Sequence, residues 1–376
     1  MKNSLFFMML SIVLIAGCAS NQSKLTITKA PWGTLPDGQE VALYTLTNAN
    51  GMVVTVSEWG AAVQSIVVPD RDGNLADIVL GYPSLDGYLG DSSYQGYTIG
   101  RYGNRIGKGQ FTIDDETYQV TQNEGENSLH GGALGFHKKL WSSEIVDQEG
   151  VVGVAMSLSS PDGEEGYPGN IEVKAIFTLN NQNELKIAYE GVTDKSTVLN
   201  MTHHMYYNLT GDYKNSILDH ILRIAADDIT PVDSQLIPTG ELMPVEGTPF
   251  DFRTPTAIGA RINEDNEQLK LAGGYDHNWV FTDADGTMRL QVSLYEPDSG
   301  RLMEILTEEP GIQFYSGNFL DGTIVGKRGE KYEFRHGMCL EPQHFPDSPN
   351  HANFPSTLLK PGETYQTASI LRFSTK

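Results

Sequence analysis

An all-β protein made of antiparallel strands is the fold class this sequence predicts, and three observations predict it. Glycine and proline are well supplied, Gly 39 and Pro 18 in 376 residues, which favours a turn-rich strand protein over a helix bundle. Short apolar runs alternate with period two between turn signals, as in Leu290-Gln291-Val292-Ser293-Leu294. That is the pattern of a strand with one buried face. No long window carries helical periodicity. Hydrophobic residues at 39% and charged residues at 20% provide for a sizeable core and exclude disorder for the bulk of the chain. One large antiparallel β-sandwich is the economical arrangement, although length alone would allow two or three domains of ~150 residues.

In chain order, the first element is a targeting segment. Met1-Lys2-Asn3 is short and positive, and residues 5–15 are apolar except for Ser11. This run is shorter than the ~20 residues a membrane-spanning helix needs and reads as the apolar region of a secretory signal. It ends in Leu14-Ile15-Ala16-Gly17-Cys18, which resembles a bacterial lipobox. The resemblance implies diacylglycerol on the Cys18 sulfur, cleavage before that residue and acylation of the new amino group. Several acyl chains, at ~0.8 kcal/mol per buried methylene, make a durable membrane anchor. An ordinary signal peptide cut nearby, or an uncleaved anchor, is the plainer alternative. The expected division is a signal peptide over 1–17, a polar tether over 18–30 and one domain over 31–376. Ala19, rather than Asp, after the cysteine points to the periplasmic face of an outer membrane, if the cell has one.

The body then runs through strand-like segments at 52–56, 62–68, 151–158, 171–179, 185–189, 288–295 and 369–373. Turns separate them at Pro36-Asp37-Gly38, Asp70-Arg71-Asp72-Gly73, Asp162-Gly163, Asp285-Gly286 and Asp321-Gly322. Residues 85–89 and 256–269 are expected to hold short helices. Lys+Arg at 26 against Asp+Glu at 48 gives a net charge of -22. A surface so acidic repels phosphate backbones, so no nucleic acid partner is expected. Once Cys18 is modified, Cys339 has no partner for a disulfide.

Four groups of segments concentrate polar, aromatic and glycine residues. The first joins Ile99-Gly100-Arg101-Tyr102-Gly103-Asn104-Arg105-Ile106-Gly107 to Asn127-Ser128-Leu129-His130-Gly131-Gly132. The second is Pro161-Asp162-Gly163-Glu164-Glu165-Gly166-Tyr167-Pro168-Gly169. The third is Asn200-Met201-Thr202-His203-His204-Met205-Tyr206-Tyr207-Asn208-Leu209. The fourth combines Gly274-Tyr275-Asp276-His277-Asn278, Gly311-Ile312-Gln313-Phe314-Tyr315-Ser316-Gly317-Asn318 and Cys339-Leu340-Glu341-Pro342-Gln343. In this order, from about Pro31 to Phe373, the set resembles the aldose 1-epimerase (galactose mutarotase) family. The resemblance implies a large antiparallel supersandwich with a sugar-binding groove. It also implies a reaction that interconverts the α and β anomers of free aldohexoses without a cofactor or a metal.

By that resemblance Glu341 is the base and His204 the acid. Anomer exchange needs a base at the anomeric hydroxyl and an acid at the ring oxygen, and a carboxylate with an imidazole suffices. His203 competes with His204, but neighbours in a strand face opposite ways, so one of the two enters the groove. Arg105 with Asn104, His130, Tyr206, Asp276 and Gln313 match the sugar contacts. Gly131 and Gly132 are expected to let the backbone approach the sugar, and Arg101 is the candidate for a structural ion pair. Gly103, Tyr207 and Pro342 depart from the commoner pattern without removing a charged catalytic group, and Gly103 and Pro342, through the local backbone, bear on sugar preference rather than reaction class. A sugar-binding module without turnover is the rival from another class. A zinc site built from these side chains lacks the His-Glu-x-x-His spacing, and a glycosidase using Asp276 with Glu341 leaves the histidines without a task.

Overall fold

The computed structural model describes residues 25–376. The targeting segment and Cys18 lie outside the described residues. Three antiparallel sheets organise the chain. A five-stranded sheet runs in sequence order through Thr26–Thr34, Glu40–Thr47, Val53–Ser57, Val63–Pro69 and Leu75–Asp77. Residues 26–30, expected in the tether, instead form the start of the first of these strands, paired with the second. Leu25 and Ile27 pack against the core, which ties this end of the chain down.

The largest sheet has nine strands. At its middle Glu184–Thr193, Tyr365–Thr375 and Arg301–Thr307 lie side by side. Ile171–Asn180, beside them, alternates buried and less buried residues along its length. Arg289–Tyr295 breaks its expected alternation: a register shift falls between Leu290 and Val292, and Leu290 is left 42% exposed. A β-bulge there turns one apolar residue outward.

The third sheet carries the site. Its order is Tyr206–Tyr207, Met338–Gln343, Gly311–Tyr315, Asp276–Phe281, Ala226–Thr230 and Met243–Pro244. Trp279, Ile312, Phe314 and Leu340 from this sheet join Val154, Phe177, Ile187, Val292 and Ile305 of the large sheet in one core. Tyr44, Val54 and Ile66 of the five-stranded sheet join the same core. Two sheets thus pack on the large one, the layered arrangement expected of a sandwich. Among the described residues there are two α-helices, Leu85–Leu89 and Glu267–Ala272. The first coincides with its expected span. The second is shorter than expected because Asn266 caps it by accepting from the backbone N–H of Gln268 and Leu269, while Thr256–Ala257 pairs as a strand instead.

Candidate active site

Period two along three strands builds the site. Across the sheet Gln313 pairs with Glu341 and Asn278 with Gln313, while Asp276 pairs with Tyr315 and Tyr315 with Cys339. Tyr206 stands opposite Cys339. Two rows of polar and aromatic side chains therefore lie on one face, and the intervening residues Trp279, Ile312, Phe314 and Leu340 enter the core. Pro342 is tolerated in the middle of this sheet. Its carbonyl accepts from Thr202 Oγ1, so its nitrogen, on the same side of the strand, takes no part in pairing with Gly311–Tyr315.

His204 arrives from a different segment. Its backbone N–H donates to the Tyr97 carbonyl, and its carbonyl accepts from Gly96. His203 turns the other way, into the core beside Phe177, with ring centroids 5.5 Å apart. The opposed pointing of these neighbours is therefore present. The His204 Nε2 lies 3.7 Å from Glu341 Oε1. Burial lowers the His204 pKa to about 4. Burial also pushes the Glu341 carboxyl well above its usual range; Asp276 adds to the rise and Arg105 opposes it. Glu341 Oε2 is buried with no hydrogen-bond partner among the described residues, so an acceptor is left for a ligand hydroxyl or water.

Arg105 and His130 are brought together by the pairing of Arg105–Ile106 with Ser128–Leu129. The backbone N–H of Asn104 donates to His130 Nδ1 at 3.1 Å. In neutral imidazole the hydrogen then sits on Nε2, which is left as a donor. Neutral is the state burial favours, with the nearby His204 and Arg105 pushing in the same direction and the pKa well below the usual value. Arg105 is gripped by Glu124 through two bonds of 2.7 Å, from Nε and Nη2. Its Nη1 lies 4.0 Å from Asp276 Oδ2 and is the part of the fork left over. Burial alone would lower the Arg105 pKa, but Asp276 and Glu124 outweigh it. Gln313 Nε2 donates to Asp276 Oδ1 at 2.7 Å, and the Tyr206 hydroxyl donates to the Ser93 carbonyl at 3.0 Å.

A cavity of about 350 Å³ is lined by Asn104, Arg105, His130, His204, Tyr206, Asp276 and Glu341, with Gln313 reaching it through Asp276. This volume falls at the lower end of small-molecule sites, ~300–1,000 Å³. His130, His204 and Glu341 place ligand atoms within 4.8 Å of one another, but they belong to this same cavity wall.

Sequence reasoning missed two side chains here. Glu124 aims the guanidinium, yet it is 19 residues from Arg105 in a loop with no motif. Tyr94 adopts φ 61° and sets its ring against His130 at 4.5 Å and His204 at 5.7 Å. Asn104 and His130 share that left-handed backbone, at φ 61° and 52°, a conformation that non-glycine residues adopt at an energetic cost and that clusters at functional sites.

One expectation changes, that for Arg101, and two neighbouring features gain a structural reason. Gly131 and Gly132 are required by the protein's own packing: an added Cβ would lie 2.0 Å from the Gly100 carbonyl and 2.2 Å from the Glu165 carboxylate, respectively. Arg101 forms no ion pair within bonding distance among the described residues; it donates to the carbonyls of Ser160, Pro161, Pro168 and Gly169. The segment around Asp162 thus serves as its cradle, and Glu165 accepts from the backbone N–H of Ala133 and Leu134.

A family profile described as aldose 1-epimerase matches residues 42–372. The chain belongs to the aldose 1-epimerase family. It is 41% identical over 350 residues to a galactose mutarotase of Bos taurus, covering 93% of this chain and 99% of the other. With an aldose 1-epimerase of Escherichia coli K12 it shares 39% over 340 residues, 90% of this chain and 96% of the other. A crystal structure of galactose 1-epimerase from Lactobacillus acidophilus superposes with TM-score 0.83 at 28% identity, covering 94% and 99% of the two chains. The aldose 1-epimerase fold expected from the sequence is the fold observed.

Proposed function

We propose that the protein interconverts the α and β anomers of free aldohexoses such as glucose and galactose, with Glu341 and His204 exchanging the protons. The observation that carries this is the buried carboxylate 3.7 Å from a buried imidazole on the wall of a sugar-sized cavity. The pair needs one proton between them. With the carboxylate ionised and the imidazole protonated, Glu341 removes the hydrogen of the anomeric hydroxyl. The O1–C1 bond becomes a carbonyl, the C1–O5 bond breaks with its electrons on O5, and His204 Nε2 gives O5 its proton. Rotation about C1–C2 presents the other carbonyl face, and the reverse steps close the ring and return both protons.

Burial penalises charge on both groups, so it disfavours the ion pair that begins ring opening and favours the neutral carboxyl and neutral imidazole that end it, as the shifts at Glu341 and His204 indicate. Arg105 opposes the rise at Glu341 and so favours the ionised carboxylate from which transfer starts. Arg105 Nη1 and His130 Nε2 supply donors to sugar oxygens, while Asp276 supplies an acceptor. Polarimetry of freshly dissolved α-glucose and α-galactose against buffer tests the reading. No acceleration for any aldose overturns it, and binding without acceleration would mark a sugar-binding module.

We further propose that the enzyme is a lipoprotein held in the cell envelope through Cys18, on the periplasmic side of the outer membrane where the cell has one. Support comes from the charged, apolar and small-residue succession ending in Cys18. Cys18→Ala should move the protein from the membrane fraction to the soluble one; persistent membrane association would count against the anchor.

A further inference from the structure

We propose that Asp347 is a positioning residue for Arg105, holding the arginine's backbone in register with the strand that carries Glu341. This rests on the anomer-exchange reading of the same site, in which Arg105 donates to sugar oxygens. Arg105–Ile106 is one strand of a two-stranded sheet. Ser128–Leu129 occupies one of its edges. Among the described residues no third strand covers the other edge. Arg105 and Ile106 are nonetheless buried, so the backbone groups on that edge need partners.

Asp347 supplies them by itself. Its backbone N–H donates to the Arg105 carbonyl at 2.8 Å, and its Oδ1 accepts from the Gly107 N–H at 2.9 Å. Along a strand, residues two apart turn their backbone groups to the same side, so one residue makes two of the bonds that a neighbouring strand would make. The backbone of Asp347 is left-handed, with φ 58°, which a non-glycine residue adopts at an energetic cost. Its carboxylate is aimed from behind: Asn350 Nδ2 donates to Oδ1 at 2.6 Å, and His351 Nε2 lies 3.1 Å from Oδ2.

Asp347 does not line the catalytic cavity, so its effect passes through Arg105. Glu124 grips the guanidinium, and Asp347 holds the backbone beneath it. Only residues 344–346 separate Asp347 from the strand Met338–Gln343. The Ser348 N–H donates to the Tyr102 hydroxyl, which donates to the Phe345 carbonyl, both at 3.0 Å. Arg105 and Glu341 are thus referenced to one short segment. A displacement of ~1 Å is enough to cost a catalytic arrangement much of its rate, so this bracket sets how well Arg105 meets the sugar.

The test compares wild type, Asp347→Gly and Asp347→Asn as full-length protein in detergent. Glycine accepts the left-handed φ without strain but has no carboxylate. Asparagine tolerates that φ and keeps an acceptor for Gly107. In glucose equilibration KM should rise ~2–10-fold in Asp347→Gly, the effect of one lost hydrogen bond, with kcat held within about twofold. Asp347→Asn should keep the wild-type KM. A residue that only supports folding would lower the apparent kcat through the folded fraction and leave KM alone. That result, or an equal rise of KM in Asp347→Asn, overturns the proposal. Hydrogen exchange read by mass spectrometry probes the bracket without a sugar: the peptide holding residues 105–107 should exchange faster in Asp347→Gly and not in Asp347→Asn. If the wild type accelerates no aldose, anomer exchange fails, and hydrogen exchange alone decides; unchanged protection in Asp347→Gly overturns the bracket. Should Asp347→Gly not fold, Asn350→Ala removes the amide aimed at the same carboxylate oxygen, with a KM rise of about twofold expected and an unchanged KM overturning the proposal.

Discussion

The two faces of the six-stranded sheet are built from the same strands and share no chemistry. On one face Trp279, Ile312, Phe314 and Leu340 pack into the main core. On the other, one residue along in each strand, stand Asp276, Gln313, Tyr315, Cys339 and Glu341. His203 and His204 repeat the contrast in two adjacent residues. Both rings are buried, with pKa values lowered to about 3 and about 4, but only His204 faces a partner it can trade a proton with. Burial alone thus does not make a site. It makes one where a strand's alternation sets a second titratable group opposite.

The sharpest way to break this comparison is on the polar face. Glu341→Gln keeps the shape and removes the base, so kcat should fall ~10²–10⁴-fold while the melting temperature stays or rises, because a costly buried acid is gone. An unchanged kcat would remove Glu341 from its role. On the apolar face Phe314→Ala should do the reverse, destabilising the fold by ~3–5 kcal/mol; a smaller loss in denaturant titrations would mean that the two faces share the core less unequally than their packing indicates.

The histidine pair sharpens the contrast. His204→Asn should lower kcat ~100-fold or more, and His203→Asn should leave it within a few-fold. The measurable trace of His203 lies in stability. Its pKa falls from the usual 6.5 to about 3 on folding, so between those values the unfolded chain binds more protons than the folded one. That contribution is full above pH ~6.5 and is lost as the pH drops toward 3. His203→Asn should therefore flatten acid unfolding over this window. A steeper acid transition in the variant would show that the ring is charged in the fold.

Much of this was legible in the sequence because strands report themselves locally. The runs at 151–158 and 171–179 sit inside the strands Val151–Ser160 and Ile171–Asn180. What a local pattern does not encode is a shift in it: the bulge beside Gln291 leaves no mark in alternating letters. The same limit applies in the site. Asn104, Arg105, His130, His204, Tyr206, Asp276 and Glu341 stand in segments whose order carries the family resemblance, and they converge on one cavity. Glu124 and Tyr94 stand outside those segments, and a guanidinium clamp reaching from a loop and a left-handed tyrosine have no short-range signature.

The smallest expected effect concerns Cys339, where packing and chemistry meet on the polar face. Its sulfur lies 3.5 Å from His204 Nδ1, and burial, with Glu341 and Asp276 nearby, keeps the thiol protonated. With Nδ1 holding its hydrogen against the sulfur, Nε2 is the nitrogen that gains and loses the proton beside Glu341. A thiol is a weak acceptor, so Cys339→Ala should lower kcat only ~2–5-fold, while the lost volume lowers stability as well. Cys339→Ser separates the two roles: a hydroxyl restores an acceptor without restoring the bulk of sulfur. Recovery of kcat in the serine variant, with the melting temperature still depressed, identifies a positioning residue. If kcat tracks the melting temperature through both variants, the sulfur only fills space.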